Sequence, residues 1–370
     1  MLKSGAVIAC LVMLAIALAP PPAPTMAGSA DHRRALSTDT LPTGARVQTF
    51  REDLSFPVDM AWVPRTQKIF FTEKNSGKIR VMMGPHLLDR ACTRLDVTSS
   101  GERGALGLAL HPDFKDNRWL YVFFTNADPL ENRVVRFTVS DNRCTDRKII
   151  VKGIDASASG YHNGGQLEFI GDKLFVSTGE AHDPAEAQST DNRLGKILRL
   201  NDDGTIPADN PFSRPGAPNP VWSYGHRNPF GLAVNRSTGI LYESENGPSC
   251  DDEVNLISRG GNYGWGASYE CGGEGRGANP IAPLRRWTPP IVPTDLFWYT
   301  GRMASLSGSL YMGDFGTGRL HRLVMDESGR RITADRIIYD ANDGIVDVSK
   351  GPKGWLYFMT PDAIYRIIPR

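Results

Sequence analysis

The sequence has little that would suit a nucleic-acid binder, a coiled coil or a membrane-spanning protein. It carries no surplus of charge. Its 42 Lys and Arg stand against 41 Asp and Glu, so no global field favours nucleic acid or an anionic membrane. No window shows clear helical periodicity, which excludes a coiled coil and argues against an α/β fold. None of the five cysteines has Cys-x-x-Cys spacing, so metal binding by cysteine pairs is not expected. The longest apolar run, from Ala6 to Leu18, is short for a membrane span, which needs about 20 residues. The chain is nevertheless 40% hydrophobic and 9% aromatic, enough for a packed core and too much for a disordered chain. Glycine (38) and proline (26) are both abundant, which favours many short strands joined by turns.

Lys3, the run from Ala6 to Leu18 and the small residues that follow predict a secretory signal peptide over residues 1–27, cleaved near Thr25-Met26-Ala27. The competing reading is an uncleaved anchor. Residues 28–44 read as a polar linker and 45–370 as one folded domain. Cleavage removes Lys3 and Cys10, leaving 41 basic and 41 acidic side chains and four cysteines, Cys92, Cys144, Cys250 and Cys271. An even count in an exported, periplasmic or extracellular chain predicts two disulfides. Cys92–Cys144 and Cys250–Cys271 are the preferred of the three pairings, because each joins neighbouring stretches.

One pattern recurs six times: an apolar strand, an aromatic-rich strand, a Gly- or acid-marked loop, then a strand of basic and apolar residues. The copies begin near Met60, Leu108, Leu167, Leu232, Thr294 and Ile345. A fourth strand fits between copies. Such a unit cannot bury both faces alone, so copies must pack side by side. Four-stranded units arranged radially make a β-propeller. The expected fold is therefore all-β, a six-bladed propeller with long inter-strand loops in blades three to five. The stretch Arg46–Phe50 is expected to complete the last blade and close the ring.

Four Gly-rich polar segments fall at matching strand ends, which a propeller gathers on one face: 101–104, 161–166, 224–229 and 245–253. His162 is the candidate base, since imidazole titrates near neutrality and its Gly-rich loop admits a substrate. Its alternative is a structural histidine bonded to backbone. Arg227 and Asn228 can hold an oxyanion or carboxylate; their alternative is a strand-end salt bridge to Glu180 or Glu243. Asp252 and Glu253, following the carbonyls of Gly247 and Pro248, suit Ca²⁺, with a solvated turn as the alternative. His111 reads as a turn cap. His86, His182 and His321 show no partner pattern, and Lys196 and Arg199 read as a solvated strand face.

At these residues the sequence resembles the glucose/sorbosone dehydrogenase family, which includes soluble pyrroloquinoline quinone (PQQ) glucose dehydrogenases and aldose sugar dehydrogenases. The propeller of Hedgehog-interacting protein is a relative. The matching stretches are 104–114, 162–167, 194–199, 224–229, 251–257 and 261–265, spread through about residues 55–368. The resemblance implies that His162 takes the proton of a sugar C1 hydroxyl while hydride passes to PQQ, giving a lactone. It also implies that Arg227 and Asn228 contact the quinone side, and that the Gly247 and Pro248 carbonyls hold Ca²⁺. Glu102 and Glu180 occupy cofactor-side positions where the family has glutamine and aspartate. The family's blade-five lysine is absent from 313–318, and its Arg-x-Arg is replaced by Gly344-Ile-Val346. Each lost charge-assisted hydrogen bond costs about 1.5–3 kcal/mol. Arg103 and Arg302 are candidate replacement cations.

The reading is thus an exported PQQ- and Ca²⁺-dependent aldose dehydrogenase, with a small-molecule sugar, an external electron acceptor, no nucleic acid and no transmembrane span in the mature chain. The alternatives are a propeller that has lost PQQ and binds carbohydrate or protein, and a Ca²⁺-dependent lactonase-type hydrolase. A cleft with cations beside His162 fits the dehydrogenase; an apolar or acidic floor fits the binding propeller.

Overall fold

A computed structural model describes residues 41–273 and 275–370. The expected signal peptide and most of the expected linker lie outside the described residues. Six antiparallel sheets follow one another along the chain, five of four strands and the first of five. Blade one comprises Pro57–Trp62, Lys68–Glu73 and Lys78–Met83, with a split outer edge of His86–Leu87 and Thr93–Arg94. Blade two comprises Ala105–Leu110, Trp119–Asn126, Glu131–Ser140 and Arg143–Asp155. Blade three comprises Gly164–Ile170, Lys173–Thr178, Lys196–Asn201 and Val221–Tyr224. Blade four comprises Pro229–Asn235, Ile240–Glu245, Asp252–Ile257 and Arg285–Trp287. Blade five comprises Pro293–Tyr299, Ser309–Asp314, Arg319–Met325 and Ile332–Asp340. Blade six comprises Asp347–Lys350, Leu356–Met359 and Ile364–Pro369, closed by the N-terminal strand Ala45–Arg51.

Closure has a physical reason. Without Ala45–Arg51, the strand Ile364–Pro369 would present unpaired N–H and C=O groups, a template for aggregation. Antiparallel pairing from Ala45↔Pro369 to Thr49↔Tyr365 covers them, as the sequence predicts.

The second strand of each blade is buried on both faces, which explains its aromatic and β-branched runs. Ile69, Phe70 and Phe71 and the stretch Tyr121 to Phe124 are fully buried. The buried apolar side chains form six clusters, one in each gap between neighbouring blades. Each large apolar side chain contributes about 1.5–3 kcal/mol on burial. Stability therefore resides between blades more than within them.

At the axis, inner-strand carboxylates latch blade six to blade one and blade one to blade two, and one bond crosses from blade three to blade five. Asp59 accepts the Leu108 N–H at 2.7 Å and Asp347 accepts the Met60 N–H at 2.9 Å. Gln166 donates to Asp295 at 2.6 Å. The matching position in blade two must be glycine, because a Cβ on Gly107 would lie 2.1 Å from the Gly165 carbonyl oxygen.

Five inner strands shift register near their first residues, beginning at Pro57, Ala105, Gly164, Pro229 and Pro293. Such bulges redirect side chains at a rim. The long insertions, 179–195, 202–220 and 258–284, belong to blades three and four. Blade five, expected to share them, has short connections; its irregular spacing reflects the long insertion of blade four just before it.

Both expected disulfides form. Cys92–Cys144 joins the outer edges of blades one and two, and Cys250–Cys271 ties the rim loop of blade four to the 258–284 insertion.

Candidate active site

The four Gly-rich segments meet at the rim where the inner strands begin. Phe56, Phe230, Phe315 and Val346 form apolar walls of a cavity of about 320 Å³ there. Lys74, Glu102, Asn228 and Asn246 supply its polar lining. That size is within the range of small-molecule sites. Roomier grooves lie at the outer edge of blades two and three and around Trp62 and Trp355 on the opposite face, away from the loop histidine.

His162 stands one hydrogen bond behind the lining. Its backbone is left-handed at φ 58°, and its N–H donates to Glu102 Oε2 at 2.8 Å. Gly179 passes so close that a Cβ there would lie 2.1 Å from the His162 carbonyl oxygen. The imidazole Nδ1 pairs with Glu180 Oε1. A carboxylate holding a proton on Nδ1 leaves Nε2 as a lone-pair acceptor, the arrangement a general base needs. Glu180 is itself fixed by its N–H donating to the Arg227 carbonyl at 2.9 Å.

Asn228 is a connector. Its Nδ2 donates to Glu102 Oε2 at 3.1 Å, and its Oδ1 accepts the Gly164 N–H at 3.1 Å. Glu102 thereby joins His162 to Asn228. Arg227 makes no carboxylate salt bridge among the described residues. Its guanidinium donates to the carbonyls of Asn246 at 2.8 Å and Gly247 at 2.7 Å, over the Trp265 ring at 5.3 Å.

The metal expectation is assembled only in part. Asp252 accepts the N–H groups of Gly247 at 2.8 Å and of Ile291 and Val292 at 2.7 Å, so it fixes the loop through its backbone. Glu253 points to the opposite face of the strand, as alternation requires, and pairs with Arg286 at 2.9 Å. Burial and the neighbouring Glu245 push its carboxyl up to about 8. Glu253 therefore does not converge with Asp252 on the Gly247 and Pro248 carbonyls.

Lys74 is the lining residue the sequence reading missed. It lies outside the Gly-rich segments, at the end of an ordinary strand, and only blade packing brings it to the cavity. Its Nζ donates to the Ser99 carbonyl at 3.0 Å, and burial lowers its affinity for a proton. The proposed replacement cations do not reach. Arg103 is spent on the Ser100 carbonyl at 3.1 Å, and Arg302 lies past the far end of Pro293–Tyr299, the strand whose first residue lines the cavity.

Other expectations are corrected by partners that sequence cannot show. Lys196 is fully buried, not solvated. It donates to the carbonyls of Glu186 at 2.9 Å, Ala187 at 3.1 Å and Leu194, and burial brings its amine down to about 7. Arg199 is held by Asp209 at 2.8 Å. His182 has neighbours: its ring meets His162 edge-on at 4.1 Å and its Nδ1 lies 3.1 Å from Ser159 Oγ. His321 bridges Asp314 and Asp335. His111 does cap its turn, accepting the Asp113 N–H at 3.0 Å.

A six-bladed propeller with a carboxylate-held histidine beside a rim cavity defines a class of small-molecule site. The glucose/sorbosone dehydrogenase family model matches residues 54–368, and the chain belongs to this family. It is 31% identical to aldose sugar dehydrogenase YliI of Escherichia coli (strain K12) over 353 residues, covering 89% of this chain and 94% of that protein. It is 35% identical to quinoprotein glucose dehydrogenase B of Acinetobacter calcoaceticus over 254 residues, covering 58% of this chain and 50% of that protein. The PQQ-bound structure of aldose sugar dehydrogenase from Streptomyces coelicolor is similar at 27% identity and a TM-score of 0.76, covering 88% of this chain and 99% of that one. No helix among the described residues is long and apolar enough to cross a membrane.

Proposed function

We propose that this chain is an exported quinoprotein-type dehydrogenase that oxidises an aldose at C1 to the lactone, with PQQ as hydride acceptor. The observation that carries the reading is the His162–Glu180 pair behind a cavity of about 320 Å³ with aromatic walls. Aromatic walls suit a flat tricyclic quinone, and the Asn228 amide stands among the polar lining groups. The charge complement is thin. Lys74 is the lining cation, while Phe315 and Val346 fall in the stretches where the family has cations. The two disulfides support an oxidising compartment, hence export.

PQQ, when bound, supplies the two-electron acceptor for the C1 hydride. The chain supplies the rest. His162 Nε2 takes the C1 hydroxyl proton, so that oxygen, losing H⁺ as carbon loses H⁻, becomes the lactone carbonyl. Glu180 holds the Nδ1 proton and stabilises the imidazolium that forms. Lys74 and the Asn228 amide would orient the cofactor's acidic edge. The Gly247 and Pro248 carbonyls would be the oxygen donors for Ca²⁺, with Asp252 setting the loop through the Gly247 N–H; the Arg227 guanidinium, which donates to the Gly247 carbonyl at 2.7 Å, would have to give way to the ion.

Calorimetric titration of the mature chain with PQQ and Ca²⁺, followed by a dye-linked aldose assay, tests the reading. Micromolar or tighter binding, with turnover lost in His162→Ala, supports it. No binding at 100 μM PQQ would sink it and leave a ligand-binding propeller.

A further inference from the structure

Between blades three and four lies a second set of buried titratable groups that the proposed chemistry does not use. Glu243 and Glu245 share one face of the strand Ile240–Glu245. Across the ladder they lie directly opposite Asn255 and Glu253, so three carboxylates and a carboxamide occupy one patch. His226 closes the patch from the rim loop, its ring stacked on Tyr263 at 4.6 Å. His226, Glu243 and Asn255 are fully buried.

The hydrogen bonds do not exhaust the patch. Arg286 reaches Glu253 alone. Glu245 accepts the Arg227 backbone N–H through Oε1 and faces His226 Nδ1 at 3.0 Å through Oε2. Glu243 accepts from Asn255 Nδ2 at 3.0 Å through Oε2. Glu243 Oε1 and Asn255 Oδ1 are buried with no hydrogen-bond partner among the described residues. Like charges directly opposite in a ladder repel, and a buried carboxylate without a counter-charge costs several kcal/mol. Ser223 Oγ lies 2.9 Å from His226 Nε2. A proton on Nε2, donated to that hydroxyl, aims the Nδ1 lone pair at the carboxylates, the outer support that metal-bound histidines use.

We propose that His226, Glu243 and Glu245 bind a divalent transition-metal ion between blades three and four. One ligand atom of each lies within 4.8 Å of the other two. An imidazole with two carboxylates suits Zn²⁺ or Mn²⁺ over Ca²⁺, which prefers oxygen alone. The ion ties the blade-three rim loop to the blade-four hairpin and locks Glu245, which carries the Arg227 backbone. The site is separate from the Gly247 and Pro248 carbonyls and holds whether or not PQQ binds.

The test is Zn²⁺ titration of the chelator-treated full chain by calorimetry, with melting temperature followed in parallel and Ca²⁺ as the comparison. The expected result is one Zn²⁺ per chain, a rise in melting temperature that Ca²⁺ does not match, and at least about 100-fold weaker binding in Glu243→Gln. Unchanged Zn²⁺ affinity in Glu243→Gln would place the ion elsewhere and overturn the proposal. So would a wild type blind to Zn²⁺ with a more stable Glu243→Gln, because glutamine mimics a protonated carboxyl. If Glu243→Gln fails to fold, X-ray absorption on the Zn²⁺-loaded wild type decides. One imidazole among oxygens supports the site; several imidazoles or no nitrogen overturns it.

Discussion

At the scale of single residues, the cavity joins an acid and a base that sequence spacing keeps apart. Lys74 and Glu102 both line it, and their charges act in opposite senses on an anionic cofactor. Lys74→Met removes one charge-assisted hydrogen bond, worth about 1.5–3 kcal/mol, so PQQ binding is expected to weaken by about 10- to 150-fold in calorimetry. Glu102→Gln keeps an acceptor for the His162 N–H but removes a carboxylate from the lining. It should tighten PQQ binding at least about tenfold, since like charges brought together across a site cost several kcal/mol. An unchanged affinity in both variants would mean that the quinone does not sit in this cavity. His162 was legible as a candidate base because it stands in the Gly-rich segment 161–166, one of four that a propeller gathers on one face. Its support by Glu180 was legible only as a family position, and Lys74 not at all, because an isolated lysine at a strand end carries no local signal.

At the scale of elements, the blade-five loop shows how a histidine without a visible partner becomes structural. Thr317 caps Asp314, and His321 bridges Asp314 at 2.9 Å and Asp335 at 2.8 Å, fixing the turn that presents Phe315 to the cavity. Burial alone would lower the imidazole's proton affinity, but the two carboxylates outweigh it and raise its pKa to about 9. A folded-state value above the unfolded one means the protonated pair stabilises the fold fully below about pH 6.5, and that this contribution is lost as pH rises through about 9. The melting temperature is therefore expected to fall between those values, with a shallower slope in His321→Gln. Equal slopes in the two proteins would remove His321 from this role. The three strands of each repeat were readable from composition. Most outer fourth strands were not, since they vary from 3 residues in Arg285–Trp287 to 13 in Arg143–Asp155 and are partly exposed, and the long insertions were assigned one blade too far.

At the scale of the whole molecule, closure by Ala45–Arg51 makes the first and last strands of the propeller one element. The strand supplies a ladder to Ile364–Pro369, and Phe50 packs edge-on against Trp62 at 5.8 Å and Tyr357 at 5.3 Å. Deleting residues through 51 exposes a blade edge and opens the gap between blades six and one. A loss on the order of 5 kcal/mol corresponds to a fall in melting temperature of about 10 °C or more. Light scattering should show concentration-dependent association through the bared edge. A truncated chain that melts like the full one would mean the ring does not depend on this strand.

The sequence by itself determined the repeat number, the strand-rich fold and the closing strand, because these follow from periodicity and turn residues along the chain; it made two disulfides expected and favoured one of three pairings, which the structure then decided. Tertiary structure alone decided which charges meet. Lys74 entering the cavity, Glu253 turning from Asp252, Lys196 being buried, and Glu243 and Glu245 facing His226 all depend on strand register and on which blade faces which. Those contacts are set by packing between segments far apart in sequence, where local pattern carries no information about partners.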